Sequence, residues 1–306
     1  MSLAPIVLFV YNRVEVTKRT LTCLKANKLA QDSDLYIYSD GGKDEISWKS
    51  VNCIREYLKT ITGFKSVTII EREINYYLER NIIDGVTNII NRYGKVIVLE
   101  DDVLTNPYYL QYMNDALSFY ESDKRIKHIS SIPHFDVKTN KDIIFTSLME
   151  CGWGWSTWKD RWSDFEYYTD KQDALRGLTN KDFSNLEYGG RFACLRSLDK
   201  KPIPWDICWA LSIYRRGGIC IEPVVPLSQN IGLYNGTHYK GYRLLGKDPY
   251  DRPYKTFKVK KFPTEVKVNE EMEYFLFHEF NGFGMKYNWL GQLVRIVYRF
   301  FKNGKI

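Results

Sequence analysis

The chain has 306 residues, enough for one large domain or two intimate ones, and its 44% hydrophobic and 26% charged residues with only 20 Gly and 10 Pro exclude a disordered, collagen-like or low-complexity protein. The net charge, 44 − 37 = +7, favours an anionic partner. Lys and Arg are spread along the chain apart from the C-terminus, so nucleic acid is not expected as the partner. Six cysteines (Cys23, Cys53, Cys151, Cys194, Cys208, Cys220) form no CxxC pair and have no His at zinc spacing, which points to reduced core thiols in a cytoplasmic protein. No uncharged apolar run approaches the ~20 residues of a membrane span, and the N-terminus lacks the pattern of a secretory signal.

From residue 5 to 131 short β-branched runs alternate with helical patterns, the signature of an α/β protein with a parallel sheet. Ile6 to Val10, Leu35 to Tyr38, Val67 to Ile70 and Val96 to Leu99 are near-continuous apolar runs expected to be buried on both faces. Val51, Ile54, Leu58 and Ile61 share one helical stripe. Leu110, Met113, Leu117 and Tyr120 share another, and Ile82, Ile83, Val86, Ile89 and Ile90 a broader one. Beyond about residue 140 the rhythm becomes mixed. A strand is expected near Ile143 to Leu148, then an aromatic segment at 153 to 162, helices around 181 to 199 and 205 to 216, and a strand at Ile219 to Ile221. The expected organisation is a nucleotide-binding half at 4–131, a second half of the same unit at 132–260 and a helical extension at 261–306.

Ligands of open α/β sheets bind beyond the carboxyl ends of the strands, so the residues just after each strand are where chemistry is expected. The first strand ends in Tyr11-Asn12-Arg13, the second in Ser39-Asp40-Gly41-Gly42 and the fourth in Glu100-Asp101-Asp102, while the third leads to Asn75 and Arg80-Asn81. Three consecutive carboxylates after a buried strand repel one another, and a hard divalent cation, Mg²⁺ or Mn²⁺, would neutralise them. The plainer reading is a solvated turn with a helix cap ahead of Asn106-Pro107. Neither GxGxxG nor GxxxxGK[ST] occurs, so dinucleotide and P-loop sites are not expected.

APIVLFVYNR, LYIYSDGG, KSVTIIEREIN, RNIIDGV, YGKVIVLEDD, GWGWSTWKDRW, PWDICWA and SQNIG, in that order over about residues 4 to 238, resemble bacterial sugar transferases with a GT-A fold that are related to N-acetylglucosaminyltransferase I. The resemblance implies a transferase of surface polysaccharide synthesis, using a UDP-sugar such as UDP-GlcNAc. It implies that Asp102 holds Mn²⁺ or Mg²⁺, that Glu100 and Asp101 hold donor hydroxyls, and that Arg13 and Asp40 hold the nucleotide. Arg80 would face the same ligand or form a structural ion pair, and Asp206 would be the general base. Residues 73 to 79 depart from the pattern, with Tyr77 and Glu79 where small residues are usual.

The chemistry makes the same demands: a cation for the charge developing on the leaving diphosphate, and a carboxylate to take the acceptor hydroxyl's proton. The bland alternative for Asp206 is a helix N-cap, and the rival for the whole chain is a sugar-binding pseudoenzyme. Trp153, Trp155, Trp158 and Trp162 either pack in a core or offer faces to an acceptor saccharide, free or lipid-linked. His238 is a further candidate metal or diphosphate contact within a glycine-rich loop, 232 to 248, expected to act as a lid. Residues 286 to 305 read as a basic amphipathic helix, docked on the sheet or lying on an anionic membrane at the inner face.

Overall fold

The computed structural model describes residues 2–133, 139–146, 151–188, 194–232, 253–270 and 273–274. The strands are β1 (Ile6–Val10), β2 (Asp34–Ser39), β3 (Ser66–Glu71), β4 (Lys95–Glu100), β5 (Val103–Thr105), β6 (Ile126–Ser130), β7 (Ile143–Thr146), β8 (Trp155–Trp158), β9 (Ile219–Pro223) and β10 (Ser228–Asn230). The α-helices are α1 (Val14–Lys25), α2 (Glu45–Leu58), α3 (Tyr77–Tyr93), α4 (Tyr109–Phe119), α5 (Lys159–Trp162), α6 (Lys171–Leu175), α7 (Asn180–Leu186) and α8 (Trp205–Arg215). His238, the lid beyond Gly232, Leu148 and the segment at 286–305 lie outside the described residues.

Eight strands form one sheet in the order β3-β2-β1-β4-β8-β6-β9-β7, and β5 pairs with β10 in a separate ribbon. β1, β2, β3 and β4 are mutually parallel, as the alternating sequence rhythm predicts, and β8 enters antiparallel beside β4. Alternation along the strands sends successive side chains to opposite faces. Ile6, Leu8, Val10, Leu35, Ile37, Ile97 and Leu99 pack in one core cluster with Leu21 and Leu24 of α1, Ile54 and Leu58 of α2, and Leu110, Met113 and Leu117 of α4. Val7, Phe9, Tyr36, Tyr38, Val96 and Val98 point the other way, onto Ile82, Val86, Ile89 and Ile90 of α3 and Trp209 and Ile213 of α8. Each of these aliphatic side chains gains about 1.5–3 kcal/mol on leaving water, which fixes the register.

Several sequence expectations are corrected. β3 is not buried on both faces: it is the sheet's edge strand, paired only with β2, and none of its residues is fully buried. Ile61 lies past the end of α2. The helical pattern at 181 to 199 divides into α7 and a separate 3₁₀ turn, Cys194–Asp199. Cys53 is an exposed thiol, whereas Cys151, Cys208 and Cys220 are buried. Among the described residues no helix is long and apolar enough to cross a membrane.

Trp155 and Trp158 belong to β8 inside the sheet, and Trp162 closes the single turn of α5. The three are buried, with Trp155 stacked on Trp205 at 5.3 Å and Trp162 against Trp209 at 5.1 Å. Trp209 Nε1 donates to His128 Nδ1 at 3.1 Å. These rings are core, and of the four tryptophans in this segment only Trp153, just ahead of β8, reaches the cleft described next.

Candidate active site

The chain runs outward from β1 to β2 to β3, then returns to place β4 on the other side of β1. Such a reversal opens a crevice at the carboxyl ends of the two central strands. A cleft of about 650 Å³ lies there, lined by residues following β1, β2, β3 and β4. The second half reaches the same cleft for topological reasons. β8 runs antiparallel to β4, so Gly152 and Trp153, which precede it, fall beyond β4's carboxyl end. α8 leads back to β9, which is parallel to β6, and its first turn brings Trp205 and Asp206 to the cleft wall.

The carboxylate run is not a solvated turn: Asp101 and Asp102 are 4% and 7% exposed, and Glu100 is half-buried. The chain itself supplies a counter-charge. Arg13 pairs with Asp101, and its Nη1 lies 2.9 Å from Asp102 Oδ2. Burial opposes the arginine's charge, but the two carboxylates outweigh it and raise its pKa. One arginine does not satisfy three acids. Among the described residues, Asp102 Oδ1 is buried without a hydrogen-bond partner. Burial and the neighbouring Asp102 push the Asp101 carboxyl up to about 6 despite Arg13. Glu100 is raised well above its ordinary range by burial first, then by repulsion from Asp102, Asp101 and Asp206.

Asp206 is not the helix cap. Pro204 occupies that position, and Asp206 sits in the first turn, its Oδ1 accepting from the Ile207 N–H at 2.8 Å. The partial positive charge of a helix N-terminus favours the ionised form of such a carboxylate. Its repulsion of Glu100 ties it electrostatically to the β4 carboxylates across the cleft.

Asp40, after β2, is buried and accepts from the Gly41 N–H at 2.9 Å and the Tyr76 N–H at 2.7 Å. Burial raises its pKa, while those donors hold it down. Arg80 is exposed, with its guanidinium 3.8 Å from the centre of the Tyr76 ring, and is not among the residues lining the cleft. Its neighbours Glu79 and Asn81 are. Arg13, Asp40, Glu100, Asp101, Asp102 and Asp206 therefore share one cleft.

Sequence reasoning passed over Lys43, Lys200, Lys201 and Asn230, which also line it. Lys43 directly follows the β2 strand end and was legible there, whereas Lys200, Lys201 and Asn230 lie outside the β1–β4 strand ends, and Lys200 and Lys201 carry no periodic signal. Gly232 lines the cleft beside Asp102, because β10 pairs with β5 and the Ile231 N–H then donates to the Asp102 carbonyl at 2.8 Å. A Cβ on Gly232 would overlap Asp102 Oδ2, so only glycine fits this close approach.

No protein-family model and no curated protein matches the chain. Among solved structures, the mannosyltransferase PcManGT from Pyrobaculum calidifontis in complex with GDP-Man and Mn²⁺ aligns at 12% identity over 60% of this chain and 50% of that one, with a TM-score of 0.34. S. aureus TarS aligns at 11% identity over 61% of this chain and 33% of that one, with a TM-score of 0.38. The 1–349 form of TarS aligns at the same identity and score over 54% of its length, so the chain spans between a third and about half of these structures.

Proposed function

We propose that the chain is an inverting, metal-dependent glycosyltransferase of the GT-A type, moving a sugar from a nucleotide-sugar, a UDP-sugar such as UDP-GlcNAc, to a saccharide hydroxyl. The observation that carries the reading is the meeting of a largely buried carboxylate run and a first-turn helix carboxylate, Asp206, in one cleft at the sheet's switch point. The sequence resemblance supports it independently.

The residues fit a hard divalent cation. Asp102 offers a buried oxygen with no partner among the described residues, and the neighbouring carboxylates add oxygen donors. Among the described residues no three His, Cys, Asp or Glu side chains converge as a full ligand set. Diphosphate oxygens and water would complete the shell, as Mg²⁺ commonly arranges. When bound, the cation stabilises the negative charge of the departing diphosphate.

The remaining work falls to the chain's own side chains. Arg13 holds Asp101 and Asp102 in place and adds positive charge beside the diphosphate. Glu100 and Asp101 accept from hydroxyls of the donor. The Asp206 carboxylate takes the proton of the acceptor hydroxyl as it attacks. Attack on the face opposite the leaving group inverts the anomeric centre.

Thermal unfolding with UDP-, GDP-, CMP- and dTDP-sugars, with and without Mn²⁺, tests the reading. One nucleotide class should stabilise the fold in the presence of Mn²⁺, by about 2.7 kcal/mol at a hundredfold excess over Kd. No stabilisation by any donor with metal would remove it.

A further inference from the structure

Tyr77 is one of two described non-glycine residues, with Tyr188, that stand at positive φ, and the one that lines the cleft. It opens α3 with φ 61°, in the left-handed region that a side chain other than glycine enters only under constraint. The constraint is visible. The 73–77 segment is held on the turn after β2 by two contacts, Asp40 Oδ1 accepting the Tyr76 N–H at 2.7 Å and Asn75 Nδ2 donating to the Gly41 carbonyl at 2.6 Å, and is tightened internally by Asn75 Oδ1 accepting the Tyr77 N–H at 3.1 Å. The approach is so close that a Cβ on Gly41 would overlap the Ile74 carbonyl. Glycine at 77 would take this backbone without strain, yet a tyrosine stands there. Its ring is not packed away: Tyr77 is 56% exposed and lines the cleft.

The ring also faces a specific neighbourhood. Lys43 Nζ lies 4.7 Å from the centre of the Tyr77 ring and 5.8 Å from that of Tyr11. Two aromatic faces, Tyr11 after β1 and Tyr77 after β3, thus converge on one ammonium after β2. Tyr77, after β3, and the carboxylates, after β4, line one cleft that an extended nucleoside diphosphate can occupy. A cation-seeking carboxylate end and an aromatic end with a hydrogen-bonding carboxylate are what the two ends of such a ligand require.

We propose that Tyr77 is a specificity-determining residue whose strained display builds one wall of a nucleobase slot, with Tyr11 and Lys43 completing it. The proposal rests on the nucleotide-sugar reading above and specifies where that ligand's base is held. A base entering the slot stacks on Tyr77 and displaces Lys43 from the ring face. The ammonium is then available to the ligand's phosphates.

The test compares calorimetric binding of UDP or GDP, whichever the wild type binds more tightly in Mg²⁺, with binding of inorganic pyrophosphate in Mg²⁺. Tyr77→Gly should weaken nucleoside diphosphate binding about tenfold, the scale of a lost base–aromatic stack, and leave pyrophosphate binding unchanged. Tyr77→Phe should retain the wild-type affinity. Tyr77→Gly should at the same time unfold at a higher temperature than the wild type, because the strain is gone. Equal nucleotide affinity in wild type and Tyr77→Gly, or equal loss for nucleotide and pyrophosphate, overturns the slot while leaving the donor reading intact. A wild type that binds neither UDP nor GDP overturns the slot, and the donor reading falls with it when no donor of the thermal panel stabilises the fold in Mn²⁺.

Discussion

Arg13 Nη1 lies 2.9 Å from Asp102 Oδ2, while the other oxygen of the same carboxylate is buried without a partner among the described residues. One half of Asp102 is thus neutralised by the chain and the other half is left for something else. Arg13→Gln removes the only cation paired with Asp101 and Asp102 among the described residues. Breaking a buried pair from one side costs about 3–5 kcal/mol, and Arg13 is 30% exposed, so a loss of about 2–3 kcal/mol is expected in denaturant unfolding. A divalent cation should then stabilise the variant more than the wild type. Equal Mn²⁺ stabilisation of both proteins would show that Asp102 does not face the metal.

The carboxylates also make stability depend on pH in an unusual direction. Asp101 keeps its proton up to about pH 6 in the native state, against an ordinary value of 3.8. Between those values the folded chain binds more protons than the unfolded one, so stability falls as pH rises through this window. Glu100 is shifted in the same direction. The metal-free protein should therefore gain stability from this cluster on going from pH 7.5 to 5, by about 1.4 kcal/mol from Asp101 alone. Saturating Mn²⁺ should flatten or reverse the trend, because the cation favours the ionised acids. The comparison is best made against Asp101→Asn, which removes the Asp101 contribution from the background slope. A variant slope equal to the wild type's would place the pH dependence elsewhere.

The first half of the fold was legible because β1 to β4 are crossed over by helices and carry their own period, so Ile6 to Val10 and the α3 stripe could be read without knowing their neighbours. The positions of Arg13, Asp40 and the carboxylate run followed, since strand ends in an α/β sheet are where the cleft must be. The burial of β3 was misread because an apolar run does not reveal that its strand lies at the edge. The tryptophan segment was ambiguous for the same reason: whether β8 enters the sheet or flanks it depends on pairing with β4 and β6, distant in sequence. Nor could the sequence show that Arg13 supplies part of the charge for which a cation was inferred. That depends on a turn after β1 meeting a turn after β4, 88 residues away.

Gly232 offers a test of the same corner from the opposite side. It comes two residues after β10 and packs against Asp102 so closely that a methyl group would overlap the carboxylate. Gly232→Ala must push Asp102 or the strand aside, with an overpacking cost of about 1–3 kcal/mol. Metal-dependent nucleotide binding should weaken by about tenfold or more, since a displacement of even 1 Å is large for a coordinating oxygen. An unchanged Kd, with a normal unfolding temperature, would show that the Asp102 position is not what holds the ligand.

Asp206→Asn separates chemistry from binding most cleanly. The asparagine carbonyl can still accept the Ile207 N–H that Asp206 Oδ1 accepts at 2.8 Å, and Pro204, not residue 206, caps α8. The fold and the unfolding temperature should hardly change. What is lost is a charge and a proton acceptor. Donor affinity should stay within about twofold, whereas turnover should fall by about 10²-fold or more, the scale of a missing general base. Glu100 supplies an internal check, because repulsion from Asp206 is one of the causes that raise its carboxyl. Removing that charge should shift Glu100 downward, readable by carbon-detected titration in the metal-free protein. Near-normal turnover in the variant would reduce Asp206 to a first-turn carboxylate with a helix-stabilising role. A collapse of donor binding would instead assign it to the donor's hydroxyls, leaving the proton to another acceptor in the cleft.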